Sequence, residues 1–131
     1  MMNRVTILFQ RWSTPIDSPA AMSSPPLKAT GTIQSVHGAS GHFSASFYIN
    51  EMLYSFSGRF DTAIEDYICK NATLEYTNIS QLVSSQDIIS GTVGKTDITL
   101  TLSNGPTISG PLDALINTSN PVKGTGMWTQ N

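Results

Sequence analysis

Between residues 42 and 60 the chain alternates apolar and polar positions twice over, as HFSASFYI, then Asn-Glu, then MLYSFSGRF. Phe43, Ala45, Phe47 and Ile49 share one face and His42, Ser44, Ser46 and Tyr48 the other, because successive side chains of a strand point to opposite sides. The second arm sets Met52, Tyr54, Phe56, Gly58 and Phe60 against Leu53, Ser55, Ser57 and Arg59. Asn50-Glu51 between them is short enough for a hairpin connection. The same period predicts strands over residues 29–36, 72–77, 88–93, 96–102, 107–110 and 123–129. Turns are expected at the Gly-containing run 37–42 and at Ser103-Asn104-Gly105-Pro106, where Asn-Gly suits positive backbone angles. Gly124 and Gly126 in the last strand allow a bend or bulge.

One segment reads as a helix. Thr62 and Glu65 have the spacing of a capping box, and Ile64, Tyr67 and Ile68 recur at near-helical intervals, which predicts a short helix over 63–69 covering one end of the sheet. An internal echo also joins the two halves: Phe56-Ser-Gly-Arg-Phe60-Asp-Thr-Ala-Ile64 matches Ile108-Ser-Gly-Pro-Leu112-Asp-Ala-Leu-Ile116. Each copy follows a hairpin of alternating apolar residues. The expected fold is therefore mainly β, an antiparallel barrel of about eight strands built from two four-stranded units, with one short helix; closure would remove exposed strand edges. A β-sandwich is the alternative.

The first 28 residues have a different texture. Four of the chain's seven prolines fall there, at 15, 19, 25 and 26, and proline removes a ladder donor and fixes φ. The division is an extended Pro/Ser-rich arm, residues 1–28, and a barrel domain, residues 29–131. Val5, Leu8, Phe9 and Trp12 fit a helix, while Val5, Ile7 and Phe9 fit a strand equally well. With Arg4 and Arg11 beside them, they could form a hook for a protein partner or a membrane surface, or simply a first strand or tail. No signal peptide is visible, since the apolar run 5–9 is too short for a signal core or a membrane span.

Composition narrows the functions. A 131-residue chain buries about two-thirds of the surface its unfolded form exposes and needs no metal or disulfide to fold. Cys69 is the one cysteine, so no internal disulfide is available. Charged residues make up 12% of the chain and the net charge is −2, which argues against nucleic acid as a partner. No cofactor signature occurs. His37 and His42 flank a turn and suggest a metal site only if a third ligand joins them, and the sequence places none nearby. Asp61, Glu65 and Asp66 have the look of paired carboxylates, although acids at a helix start are stabilised by the backbone dipole without further role. Cys69 lacks a local base and reads as a small buried hydrophobe. Catalytic, cofactor and metal residues are thus expected to be none. The sequons at Asn71, Asn78 and Asn117 are as many as a Ser/Thr-rich chain yields by chance.

The Pro/Ser-rich arm, the short helix leading to a strand that ends Glu75-Tyr76, the hairpin pair after it and the closing Gly124-Thr-Gly-Met-Trp128 together resemble the small β-barrels of the bacterial virulence-associated protein (Vap) family. The similarity covers roughly residues 60–128. It implies an eight-stranded antiparallel barrel with a filled interior, no catalytic residues, and secretion to act on a host. The leading expectation is a non-enzymatic interaction module, a secreted virulence-type effector acting through its surface or its N-terminal arm. The alternative is a barrel binding a lipid, small apolar molecule or glycan, with Tyr48, Trp12 and Trp128 as stacking surfaces. A hydrolase using Asp61, Glu65 or Asp66 ranks last.

Overall fold

A computed structural model describes residues 26–131. Nine strands follow in chain order: β1 (Leu27–Ser35), β2 (His42–Ile49), β3 (Met52–Phe60), β4 (Ile68–Tyr76), β5 (Ser85–Val93), β6 (Asp97–Leu102), β7 (Thr107–Pro111), β8 (Asn120–Pro121) and β9 (Gly124–Gln130). All pair antiparallel. The sheet runs β6-β7-β4-β1-β2-β3-β9-β5, and β5 pairs back onto β6, so eight strands close a barrel and the two-residue β8 lies on β5 as an extra rung. The barrel predicted from the alternation is the fold observed.

The two halves have the same topology. The first has the spatial order β4-β1-β2-β3 and the second β9-β5-β6-β7, each a Greek key. The sequence echo marks equivalent positions. The Phe60 amide donates to Gly41 O at 2.8 Å, and the Leu112 amide to Thr96 O at 2.9 Å. The Asp61 amide donates to Lys123 O at 2.7 Å, and the Asp113 amide to Ile68 O at 2.8 Å. Each pair of bonds turns the chain out of a third strand, across the mouth of the barrel and toward the start of a fourth. Gly58 and Gly110, the echoed glycines, both sit where another strand passes close: a Cβ would fall 2.0 Å from Thr125 O in one case and 2.7 Å from Cys69 Sγ in the other.

The interior is filled by the inward-facing residues of the alternating pattern. Phe43, Phe47, Phe56, Ile33, Leu74, Ile98, Leu100 and Ile108 are essentially inaccessible to water, which leaves no water-sized void beside them. Phe43 stacks on Phe60 with centroids 4.9 Å apart, and Phe56 meets Trp128 at the same separation. Burial of each such side chain is worth about 1.5–3 kcal/mol. The outer wall carries rows of hydroxyls along the ladders, such as Thr92, Thr99, Ser109, Thr73 and Thr30 on five consecutive strands.

The predicted helix over 63–69 is absent. Residues 63–67 are irregular, and β4 begins at Ile68. Long-range pairing overrides the local signal: Ile68 and Cys69 pair with Gln34 and Ile33 of β1, and the Glu65 side chain reaches Asn117 and Thr118 instead of Thr62. The only helical turn among the described residues is 3₁₀, Ile79–Gln81, which has its own capping box from Asn78 and Gln81. At the arm boundary, Leu27 and Lys28 already belong to β1, paired with Tyr76 and Glu75. Residues 1–25 of the proposed arm, including Trp12, lie outside the described residues.

Candidate functional site

At one end of the barrel, three connections meet: the β1–β2 turn, residues 61–67 and residues 112–119. The last of these is pinned at two points. The Leu112 amide donates to Thr96 O and the Ile116 amide to Lys95 O at 3.1 Å, and both side chains are buried. The turn between these anchors pushes Leu115 outward, leaving it 75% exposed. Below it opens a groove of about 500 Å³ lined by Val36, Tyr67, Ile68, Leu115 and Ile116, with Gln34, Ser35, His37 and Asp66 as polar members. A second hollow of about 450 Å³ shares Ser35, Val36 and Asp66 with it and continues over Ile64 and Glu65.

Ser35 ties the floor together. Its Oγ accepts the Tyr67 amide at 2.9 Å and lies 3.1 Å from Tyr67 O and 3.4 Å from Asp66 Oδ1. Asp66 Oδ2 is 2.9 Å from His37 Nδ1. Serine, histidine and aspartate converge, but in the wrong order for catalysis. A nucleophilic serine needs the imidazole as its base. Here the carboxylate stands between the two, no bond joins Ser35 to His37 among the described residues, and the His37 side chain is 95% exposed. The cluster tethers the β1–β2 turn to residue 66.

Of the other acids at this end of the barrel, Glu65 and Asp113 are also occupied with structure. Glu65 accepts the Asn117 amide at 3.0 Å and the Thr118 hydroxyl at 3.3 Å. Asp113 accepts the Lys70 amide at 2.9 Å. Asp61 takes part through its main-chain N–H alone, which donates to Lys123 O. Cys69 is buried, and its burial pushes the thiol pKa up, which keeps it in the unreactive protonated form. Burial likewise pushes the Tyr67 phenol up, and its hydroxyl has no hydrogen-bond partner among the described residues. His42 stands opposite Arg59 on the β2–β3 ladder, so the two histidines take different partners. No group of three potential metal ligands occurs among the described residues.

The predicted stacking residues separate. Tyr48 is 68% exposed on the outer wall, opposite Leu53. Trp128 is buried against Phe56 and offers no open face. The structure does not bring Tyr48 and Trp128 into one site, and Trp12 is not described.

The groove itself was missed by sequence reasoning. One signal for it existed in the echo: where the first copy has Thr62-Ala63-Ile64, the second has Ala114-Leu115-Ile116, so an exposed leucine replaces an alanine between the same two anchor positions. Family models, curated proteins and solved structures were all compared with the chain, and none matches.

Proposed function

We propose that this chain is a non-enzymatic interaction module that works through the groove at the loop end of its barrel. The observation that carries this reading is Leu115, held out in water above an apolar floor by a loop fastened on both sides. Leaving it exposed forgoes about 1.5–3 kcal/mol of burial, and the anchors at Leu112 and Ile116 prevent the loop from recovering it. The barrel interior is packed with its own side chains, which favours binding at the surface. Glu65 and Asp66, though exposed, hold the loops together, which supports a binding reading over a hydrolytic one. The resemblance to the Vap barrels supports extending the proposal to a secreted effector that meets its partner outside the producing cell.

The test is a photo-crosslinking residue placed at position 115 in the full chain, with a second variant carrying it at position 48. Specific capture at 115, competed by excess unlabelled protein but not by Leu115→Asp, supports the reading. Capture that is equal at both positions, or not competed, overturns it. Truncation of residues 1–25 separates groove from arm: the strand that follows starts at the opposite end of the barrel, beside Tyr76, so competed capture at 115 persists if the groove is sufficient.

A second reading is favoured by Tyr48. Its open ring stands on the same outer face as Ser46, with Ser55 across the ladder from Ser46, an aromatic platform among hydroxyls suited to stacking a sugar. Glycan-array binding lost on Tyr48→Ala would support it.

A further inference from the structure

The pseudo-twofold relation gives the groove a counterpart. Ile68 and Lys123 are equivalent by the bonds that Asp113 and Asp61 make to them. The cleft beside Lys123, about 360 Å³ between Asp61, Thr62, Gly91 and Val122, therefore occupies in the second half the place that the Leu115 groove occupies in the first. The two have diverged in chemistry. The cleft at Lys123 balances one cation against one acid, Asp61, and β8 adds a rung to β5 beside it. At the Leu115 groove no such rung forms, and the side chains of His37 and Asp66 join instead. Among the described residues, its lining includes Asp66, continues past Glu65, and contains no Lys or Arg.

From this we infer that the Leu115 groove takes an extended peptide segment in which an apolar side chain adjoins Lys or Arg, an inference that rests on the proposed function. The apolar residue covers Leu115 and Val36, and the cation lies over Asp66 and Glu65. Both carboxylates are exposed, so the charge pairing sets orientation and discrimination, while the apolar contact supplies the affinity.

The experiment titrates the full chain against three fluorescein-labelled short peptides: one with Leu and Phe interleaved with Arg, a twin with Glu in place of Arg, and a third with Ser in place of Leu and Phe. The first should saturate, with the other two weaker by about tenfold, equivalent to about 1.4 kcal/mol. Leu115→Asp should lower affinity for the first peptide by about tenfold. Asp66→Asn should weaken it and flatten its salt dependence. Circular dichroism melting should stay cooperative for both variants, matching the parent for Leu115→Asp and slightly lower for Asp66→Asn, which alters the contact to His37. Equal affinity for the Arg and Glu peptides, or no change on Leu115→Asp, overturns the inference. If competed crosslinking at 115 succeeds while the Arg peptide fails to bind, the peptide inference falls and the surface reading stands. If both fail, both fall.

Discussion

Phe56 on β3 and Trp128 on β9 face each other as a registered pair, their ring centroids 4.9 Å apart and their planes tilted by 38°. Gly126 makes this contact possible, since a Cβ there would lie 2.5 Å from Phe56 Cζ. The Trp128 indole N–H is buried without a partner among the described residues, so the residue contributes by volume and at some polar cost. Trp128→Ala should lose about 3–5 kcal/mol through the cavity it leaves. Trp128→Phe should lose less than about 1.5 kcal/mol, because removing an unsatisfied donor offsets part of the lost contact. Urea denaturation of the two variants checks the contrast; equal losses would mean that the indole nitrogen is satisfied after all.

Three glycines should respond differently to alanine. At Gly58 the added Cβ meets a main-chain oxygen at 2.0 Å, and neither strand can yield without breaking the β3–β9 ladder. Gly110 is crowded by Cys69 Sγ at 2.7 Å and Asn71 O at 2.8 Å. Gly38 has nothing within 4 Å but a φ of +81°. Gly38→Ala should therefore cost only the left-handed backbone penalty, about 1 kcal/mol. Gly58→Ala and Gly110→Ala should each cost several times more or prevent folding. Thermal melts rank them, and a Gly38→Ala loss as large as that at Gly58 would contradict the close-approach argument.

These glycines also show how much the sequence could reveal. The alternation at Phe43, Phe47, Tyr54 and Phe56 read correctly because a half-buried strand writes its faces with period two. The echo at Gly58 and Gly110 read correctly because two equivalent strand crossings demand the same missing side chain. Residues 63–69 did not, because Thr62 and Glu65 look like a cap only when Asn117 and Thr118, which use the Glu65 carboxylate, are out of view. The groove was illegible for a related reason: Val36 and Leu115 are 79 positions apart, and their meeting depends on how two loops cross the barrel mouth. Trp128 looked available for stacking because its neighbours in sequence, Gly126 and Thr129, do not disclose Phe56 on the adjoining strand.

Tyr67 makes stability depend on alkaline pH. Burial raises its phenol pKa above the unfolded value of about 10, so the native state holds the proton more tightly than the unfolded chain. The sign follows from linkage: the stabilisation is complete below pH 10 and falls as pH rises beyond it. Cys69, raised in the same direction by burial, adds a decline that begins slightly lower, near the ordinary thiol range. Tyr67→Phe should flatten the upper part of the decline and leave neutral-pH stability unchanged or improved, because the hydroxyl it removes has no partner among the described residues. Denaturant midpoints between about pH 7 and 11 test this; identical slopes for parent and variant would show that Tyr67 does not titrate differently on folding.

Glu65 decides between a tether and a catalytic acid. Its two carboxylate oxygens hold the Asn117 amide and the Thr118 hydroxyl, joining the exit loop of the first half to that of the second. Glu65→Ala should leave the barrel folded, because no β-ladder bond depends on it, and should cost about 0.5–1.5 kcal/mol for the lost exposed hydrogen bonds. The local effect is larger than the global one. The Asn117 amide should lose its protection against hydrogen exchange, while core amides such as Trp128, bonded to Ser84 O, keep theirs. Because residues 112–119 carry Leu115, a loosened loop should also weaken crosslinking at position 115 without any change at position 48. Unaltered exchange at Asn117 would show that the loop is held by Leu112 and Ile116 alone, and Glu65 would then be free for a different role.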